Sequence, residues 1–102
     1  MFVAHFQDYP ASAHIYRAHL DAHKAYIKAN RGKIRTSGSL YTDDLGNPIG
    51  ALWYIQVKDR LEAEQLCHGD PFFLAGLRKG VTLVPLPDGS GSKYQNVRVA
   101  CL

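Results

Sequence analysis

The sequence lacks the features of membrane-spanning and secreted proteins. No run of the chain approaches the roughly 20 consecutive apolar residues that a membrane helix requires, and the first residues, MFVAHFQDYP, are too mixed for a secretory signal. The two cysteines, Cys67 and Cys101, are too few for a disulfide framework and show no metal-type spacing. We therefore expect a reduced, cytoplasmic protein that has no membrane partner.

The net charge is also small, because 12 Lys and Arg residues stand against 9 Asp and Glu residues, which leaves +3. This small excess does not by itself indicate a nucleic-acid partner. A chain of 102 residues has room for one domain. A domain of this size buries only about two-thirds of its unfolded surface, so we expect a homodimer, which would also give a pocket more room.

The pattern of apolar and turn residues predicts one α+β domain over residues 1–102, with the element order β-α-β-β-α-β. Strands are expected at residues 1–6, 33–42, 51–57 and 81–86. One helix is expected at 13–30, a second between its cap Asp59 and the stop at Gly69, and a helical turn after Asp70 and Pro71. This order is typical of the ferredoxin-like fold, an antiparallel sheet with both helices on one face. The core would cover about residues 2–86, and the C-terminal extension, residues 87–102, would add a strand near 94–100.

Several residues carry local expectations. Ser12 is expected to cap the first helix, and Asp59, with Glu62 three residues later, the second. Gly38 interrupts a strand and predicts a bulge or a close backbone approach. The open face of the sheet needs a cover, and the aromatic strand residues Trp53 and Tyr54 favour a second copy of the chain.

The first helix carries polar groups on its apolar side. A helical projection places His19, His23 and Asn30 among the apolar residues that face the sheet. Each needs a partner there, because an unpaired buried polar group costs roughly 1–3 kcal/mol. Two interpretations stay open: the histidines are satisfied core residues, or an imidazole enters a cavity as an acid or base.

Metal and nucleic-acid interpretations are weaker. His19 and His23 stand four residues apart, but candidate third ligands such as His68 or Asp70 belong to no metal motif, so neither metal nor cofactor is expected. A basic stripe also follows helical spacing and is more typical of a solvated helix face than of a phosphate-binding surface. Its members are Lys24, Lys28, Arg31 and Arg35.

Asp70 has two possible roles, since an Asp before Pro is a favoured helix cap and an Asp can also orient an imidazole. Ser39, beside Gly38, either lines the same space or is an ordinary strand residue. Neither cysteine has a base near it in sequence, so a thiol nucleophile is not expected.

Five segments follow one another along the chain: Arg17 to Ile27, Ser37 to Leu40, Gly46 to Gly50, Asp70-Pro71-Phe72 and Ala75-Gly76-Leu77. In this order they resemble the R-x5-H-L-x-Y-L segment, the A-G-P-L segment, a turn, the D-P-F motif and the A-G-L motif of the YCII-related (YciI-like) family. Ser39 and Lys24 depart from the family's usual Pro and Leu.

The resemblance implies a ferredoxin-like domain that pairs into a dimeric α/β barrel. It also implies a site built around His23 and Asp70, with elimination or isomerisation chemistry, such as dehydrochlorination, on small and often aromatic molecules. His23 would act as general acid or base, Asp70 would hold its ring, and no metal or nucleotide would be needed. Expected substrate contacts are Tyr26, His19, Ser39, Trp53 and Phe72.

Two rival functions remain open. One is a non-catalytic dimer that binds a metabolite or another protein domain, with the histidine contributing only a hydrogen bond. The other, less favoured, is nucleic-acid binding through the stripe from Lys24 to Arg35, which would require a steeply salt-dependent affinity.

Overall fold

The structure, a computed structural model, describes residues 1–10, 12–41, 48–87 and 100–101. The elements are β1 (Phe2–Asp8), α1 (Ala13–Ala29), β2 (Ile34–Tyr41), β3 (Pro48–Ile55), α2 (Arg60–His68), α3 (Pro71–Leu74), β4 (Arg78–Pro85) and β5 (Ala100–Cys101). Two boundaries matter for the site. β1 runs on to Asp8, and β4 begins at Arg78, three residues before the predicted start.

The strands form one sheet in the order β4-β1-β3-β2-β5, and each neighbouring pair is antiparallel. The first four strands have the ferredoxin-like order, so the predicted fold class is confirmed. β5 pairs with β2 opposite Gly38 and Ser39. The predicted last strand at 94–100 otherwise lies outside the described residues.

The inner face of the sheet forms the core, because alternate residues of each strand point to the same side. Phe2, Ala4 and Phe6 of β1 are buried, as are their β3 partners Ile55, Trp53 and Ala51. The expectation that Trp53 belongs to the open face is therefore wrong. It lies one position from Tyr54, and one residue reverses the side of the sheet.

Local signals are confirmed in some places and not in others. The Asp59 carboxylate accepts a hydrogen bond from the backbone N–H of Glu62 at 2.9 Å, so it caps α2 as predicted. Ser12 stands at the start of α1, but its hydroxyl donates to the Tyr9 carbonyl at 2.6 Å and caps no helical N–H. Gly38 pairs in register, and the irregularities of β2 lie elsewhere.

The helices cover the inner face of the sheet. Gly69 ends α2 at a point where a Cβ atom would lie 2.6 Å from the Tyr26 hydroxyl, so glycine allows α1 and α2 to approach each other. Within the described ranges, no helix is long and apolar enough to cross a membrane.

Gly50 offers a test of the sheet packing. A Cβ atom at this position would lie 2.1 Å from the backbone carbonyl oxygen of Phe6, which cannot move without disturbing β1. We expect Gly50→Ala to lower the free energy of unfolding by about 1–3 kcal/mol, as overpacking does. The control is Gly80→Ala in β4, where the added atom meets nothing within 4 Å. Urea unfolding measures both, and equal stability of the two variants would contradict the close approach.

Candidate active site

A buried histidine and a buried carboxylate meet between α1 and α3. His23 is the one buried residue of α1, with 2% of its surface exposed, and Asp70 is fully buried. The Nδ1 atom of His23 lies 2.7 Å from Oδ1 of Asp70, a distance typical of a charge-assisted hydrogen bond. With Asp70 ionised, Nδ1 carries the proton that is donated, and the lone pair of a neutral ring lies on Nε2.

Asp70 serves both roles that the sequence left open. Its Oδ1 also accepts the backbone N–H of Phe72 at 3.2 Å, which caps the short helix α3 behind Pro71. The same atom therefore fixes the start of α3 and the orientation of the His23 ring. The carboxylate cannot rotate without breaking both hydrogen bonds.

An aromatic ring stacks on the face of the imidazole. The Phe72 ring lies on His23 with centroids 4.1 Å apart and planes 15° from parallel, and Tyr16 in turn stacks with Phe72 at 5.1 Å. Trp53 lies 6.4 Å from the His23 ring. Phe72, one of the expected contacts, therefore touches the histidine itself.

Arg78 joins this cluster, although no sequence pattern indicated it. Its side chain is buried, and Nη1 donates to Oδ1 of Asp8 at 2.8 Å while Nε lies 3.5 Å from Oδ2 of Asp70. The guanidinium carbon also lies 4.8 Å from the Phe6 ring centroid and 5.1 Å from that of Phe72. The sequence predicts that β4 begins only at residue 81, which leaves Arg78 outside the predicted strand.

The charges of the cluster are nearly balanced. Burial raises the pKa of Asp8, and the Arg78 guanidinium opposes that rise. With both carboxylates ionised, Asp8, Asp70 and Arg78 together carry one negative charge next to His23. A proton taken up by the imidazole would therefore meet a compensating charge at 2.7 Å.

A cavity of about 350 Å³ opens beside the histidine, between α1 and β2. This volume is within the range of small-molecule sites. The lining residues are His23, Lys24, Ile27, Lys28, Arg31 and Ser37. Because Nδ1 of His23 is bound to Asp70, Nε2 is the ring nitrogen left to meet a ligand.

The cavity differs from the site expected from the sequence. Three members of the basic stripe are exposed, as a solvated helix face predicts, and they also line the cavity wall. Ser37, and not the expected Ser39, lines the cavity from β2. Ser39 is buried on the same face of β2, two residues further on. Its register partner is Ala51, whereas Ser37 pairs with Trp53.

Two expected contacts lie elsewhere. The expectation that His19 faces the sheet is wrong, since its side chain is exposed. Phe72 of α3 packs against Tyr16 and His23. A residue on the same side of a helix is buried only where another element packs against it, which explains why His19 can be exposed while His23 is buried. Tyr26 points its hydroxyl at the Leu66 carbonyl, to which it donates at 2.7 Å, and it is not among the cavity residues.

Two other ionisable side chains, Cys67 and Tyr26, stay protonated. Burial raises the pKa of Cys67 to about 12, so this side chain remains a thiol and is a poor nucleophile, as expected. Burial also raises the pKa of Tyr26, which keeps its hydroxyl a donor. Across the described residues, no three His, Cys, Asp or Glu side chains converge on a point where a metal ion could bind.

The chain is thus a ferredoxin-like α+β domain with a histidine–carboxylate pair beside a cavity of small-molecule size. The sequence model of the YCII-related domain matches residues 1–87, and the chain belongs to this family. The resemblance found in its motifs is therefore confirmed. No curated protein matches the chain.

A solved structure shares the fold. It is the 5-chloro-2-hydroxyhydroquinone dehydrochlorinase from Burkholderia phenoliruptrix AC1100, in complex with 2,5-dihydroxybenzoquinone. The TM-score is 0.76 at 22% sequence identity, over 88% of this chain and 97% of that chain. The likeness confirms the ferredoxin-like architecture.

Arg78 is predicted to stabilise the cluster. Arg78→Met leaves two buried carboxylates without their cation, and we expect the free energy of unfolding to fall by about 3–5 kcal/mol. Arg78→Lys, which keeps the charge but loses the planar guanidinium, should fall between this variant and the wild type. Lys79→Met, at the exposed neighbouring position, is the control and should change stability by less than about 0.5 kcal/mol.

The same variant has a predicted pH dependence. Without the guanidinium, burial raises the pKa of Asp8 further. A carboxyl group whose folded-state pKa is raised favours folding as the pH falls through that value, because the folded form holds the proton more tightly. The stability deficit of Arg78→Met should therefore be smaller at about pH 5 than at about pH 8. A deficit that grows on acidification would contradict this account of Asp8.

Proposed function

We propose that this protein is an enzyme for acid–base chemistry on a small, aromatic molecule, with His23 and Asp70 as its catalytic pair. The carrying observation is the buried imidazole, held at Nδ1 by Asp70 and lining the cavity beside α1. The activity and the bound quinone of the similar dehydrochlorinase support an elimination or isomerisation on a hydroxylated ring.

In the proposed reaction, Nε2 of neutral His23 removes a proton from the substrate. For an elimination, the electron pair of the broken C–H or O–H bond forms a new double bond, and the leaving group departs with its own bonding pair. For an isomerisation, the proton returns to another atom of the substrate. The electrons are redistributed within the substrate, so neither version needs an external oxidant or reductant.

Asp70 supports this step through the ring. It holds the tautomer that leaves the lone pair on Nε2, and it lies 2.7 Å from the positive charge that develops on the imidazole. Arg78 acts through Asp70 and is a positioning residue, because its Nε lies 3.5 Å from Asp70 and it does not line the cavity. Phe72 keeps the ring plane constant during the transfer.

We also propose that the enzyme works in the cytoplasm as a homodimer, paired through the outer face of its sheet into an α/β barrel. This face carries Val3, Leu52 and Tyr54, which are half-buried, and Val84, which is 44% exposed. They lie at alternate positions to the core residues of the same strands. Burying this apolar face between two copies would stabilise both.

The alternative is a dimer that binds a metabolite or a protein domain without turnover. The hydrogen bonds at Nδ1 and at the α3 cap favour it, because they give His23 and Asp70 a structural purpose without any chemistry. The two functions differ in outcome. An enzyme converts its ligand, whereas a binding module is only stabilised by it.

The catalytic proposal predicts loss of turnover in His23→Asn. The assay is proton exchange or elimination on a panel of hydroxylated aromatics and lactones, including chlorinated hydroquinones. Loss of the general base should lower the rate by about 10²–10⁴-fold, with the substrate affinity largely kept. Asp70→Asn should also lower the rate, since the ring then loses its charged partner.

The matched control is His14→Asn, which removes an exposed imidazole from the same helix. It should keep the wild-type rate. Full turnover in His23→Asn would remove the histidine from the mechanism. Ligand-induced stabilisation without conversion of any panel member would favour the binding module.

The dimer proposal predicts that Tyr54→Glu dissociates the protein, because a buried, unpaired charge at the interface is costly. Sedimentation velocity should show the dimer mass for the wild type and the monomer mass for the variant. Leu61→Glu is the control, because Leu61 is 63% exposed on the helix α2 and lies away from the outer face of the sheet. A monomeric wild type would contradict the proposal.

A further inference from the structure

A row of cations follows α1 along the cavity. Lys24, Lys28 and Arg31 occur at intervals of four and three residues, so they lie on one side of the helix, and all three line the cavity with His23. They are exposed, and within the described ranges none of them forms an ion pair. Asp21 is the one acidic residue of α1, and among the residues that the structure describes no acidic side chain lines the cavity.

Repulsion between these three cations lowers the free energy of unfolding of the protein. Like charges at such helical spacing repel each other by a few tenths of a kcal/mol per pair. Two other cations of the chain form ion pairs, Lys33 with Glu62 and Arg78 with Asp8. A concave surface that carries charge of one sign raises the local concentration of ligands of the opposite sign.

We propose that the substrate carries an anionic group, a carboxylate or a phosphate, and that Lys24, Lys28 and Arg31 bind it. This inference rests on the proposed function and names the substrate class of that same site. The reacting part of the molecule lies at Nε2 of His23. The anionic group lies further along α1, and Ile27 supplies apolar contact between the two.

Helix geometry sets the scale of such a substrate. Residues rise about 1.5 Å each, so Lys28 stands about 8 Å and Arg31 about 12 Å beyond His23 along the axis. One six-membered ring with an anionic substituent spans the shorter distance once the reach of a lysine side chain is included. The cavity of about 350 Å³ has room for a molecule of that size.

A neutral donor complements the cations. Ser37 lines the cavity from β2 and offers a hydroxyl, which can donate a hydrogen bond to a ligand oxygen. This hydroxyl and the three cations together favour a ligand that is negative in charge and carries oxygen atoms.

The test compares probes that differ in charge. The first pair is 2,5-dihydroxybenzoate and its uncharged amide, 2,5-dihydroxybenzamide, and a third probe is phenyl phosphate. Binding is followed by two-dimensional NMR of the wild type at about 20 mM salt, through the backbone amide signals of Ile27 and Ser37. We expect one of the anions to bind at least about tenfold more tightly than the amide. Comparison of the two anions distinguishes a carboxylate site from a phosphate site.

The variant Lys24→Gln/Lys28→Gln should reduce the preference for the anion to about twofold or less, since two of the three cations are gone. Lys79→Gln makes the same kind of charge change at an exposed position outside the cavity and should keep the preference. About 300 mM salt should weaken the anion and leave the amide unchanged. Thermal unfolding of each variant shows that the fold is kept.

Different results would contradict the anion site and the catalytic proposal. In His23→Asn, the preference for the anion should persist while turnover is lost. Equal binding of amide and anions, a preference that survives in the double variant, or no anion-dependent shift at the cavity signals would each overturn the inference. A charge preference without turnover in the wild type would uphold the anion site and reject the catalytic proposal.

Discussion

The carboxylate of Asp70 is the group on which the site depends. Oδ1 accepts the Nδ1–H of His23 and the backbone N–H of Phe72, and Oδ2 lies 3.5 Å from the Arg78 guanidinium. These contacts join α1, α3 and β4 at one buried point. A buried carboxylate needs hydrogen-bond donors or a cation beside it, so His23, Phe72 and Arg78 are all constrained by the position of Asp70. Helix packing and the orientation of the imidazole are therefore set together.

The asymmetry of the imidazole follows from this constraint. Asp70 and the Phe72 ring occupy one nitrogen and one face of His23, so the other nitrogen is left for the cavity. The cations of α1 lie on the cavity side, whereas the buried carboxylates lie on the side of β1 and β4. The site is thus electrostatically polarised across one helix. Such a polarised cavity suits a negative molecule that donates a proton near one end.

The fold was predictable because its signals are local. The strand-forming residues of β1 and β3, the cap at Asp59 and the stop at Gly69 each act over a few residues, and the structure confirms these elements. Errors arose where a signal was ambiguous by one position or one partner. The Trp53 side chain lies on the inner face of the sheet. The Ser12 hydroxyl donates to the Tyr9 carbonyl and does not cap a helical N–H.

The sequence by itself determined the element order, the ferredoxin-like class and the presence of polar residues, His23 among them, on the apolar side of α1. Only the tertiary structure decided which partners that residue met. It selected His23 over His19, brought Arg78 to Asp70 from an unpredicted strand position, and placed the basic stripe along a cavity. Periodicity is a property of neighbouring residues, whereas ion pairs and cavities depend on which distant segments pack at the same level.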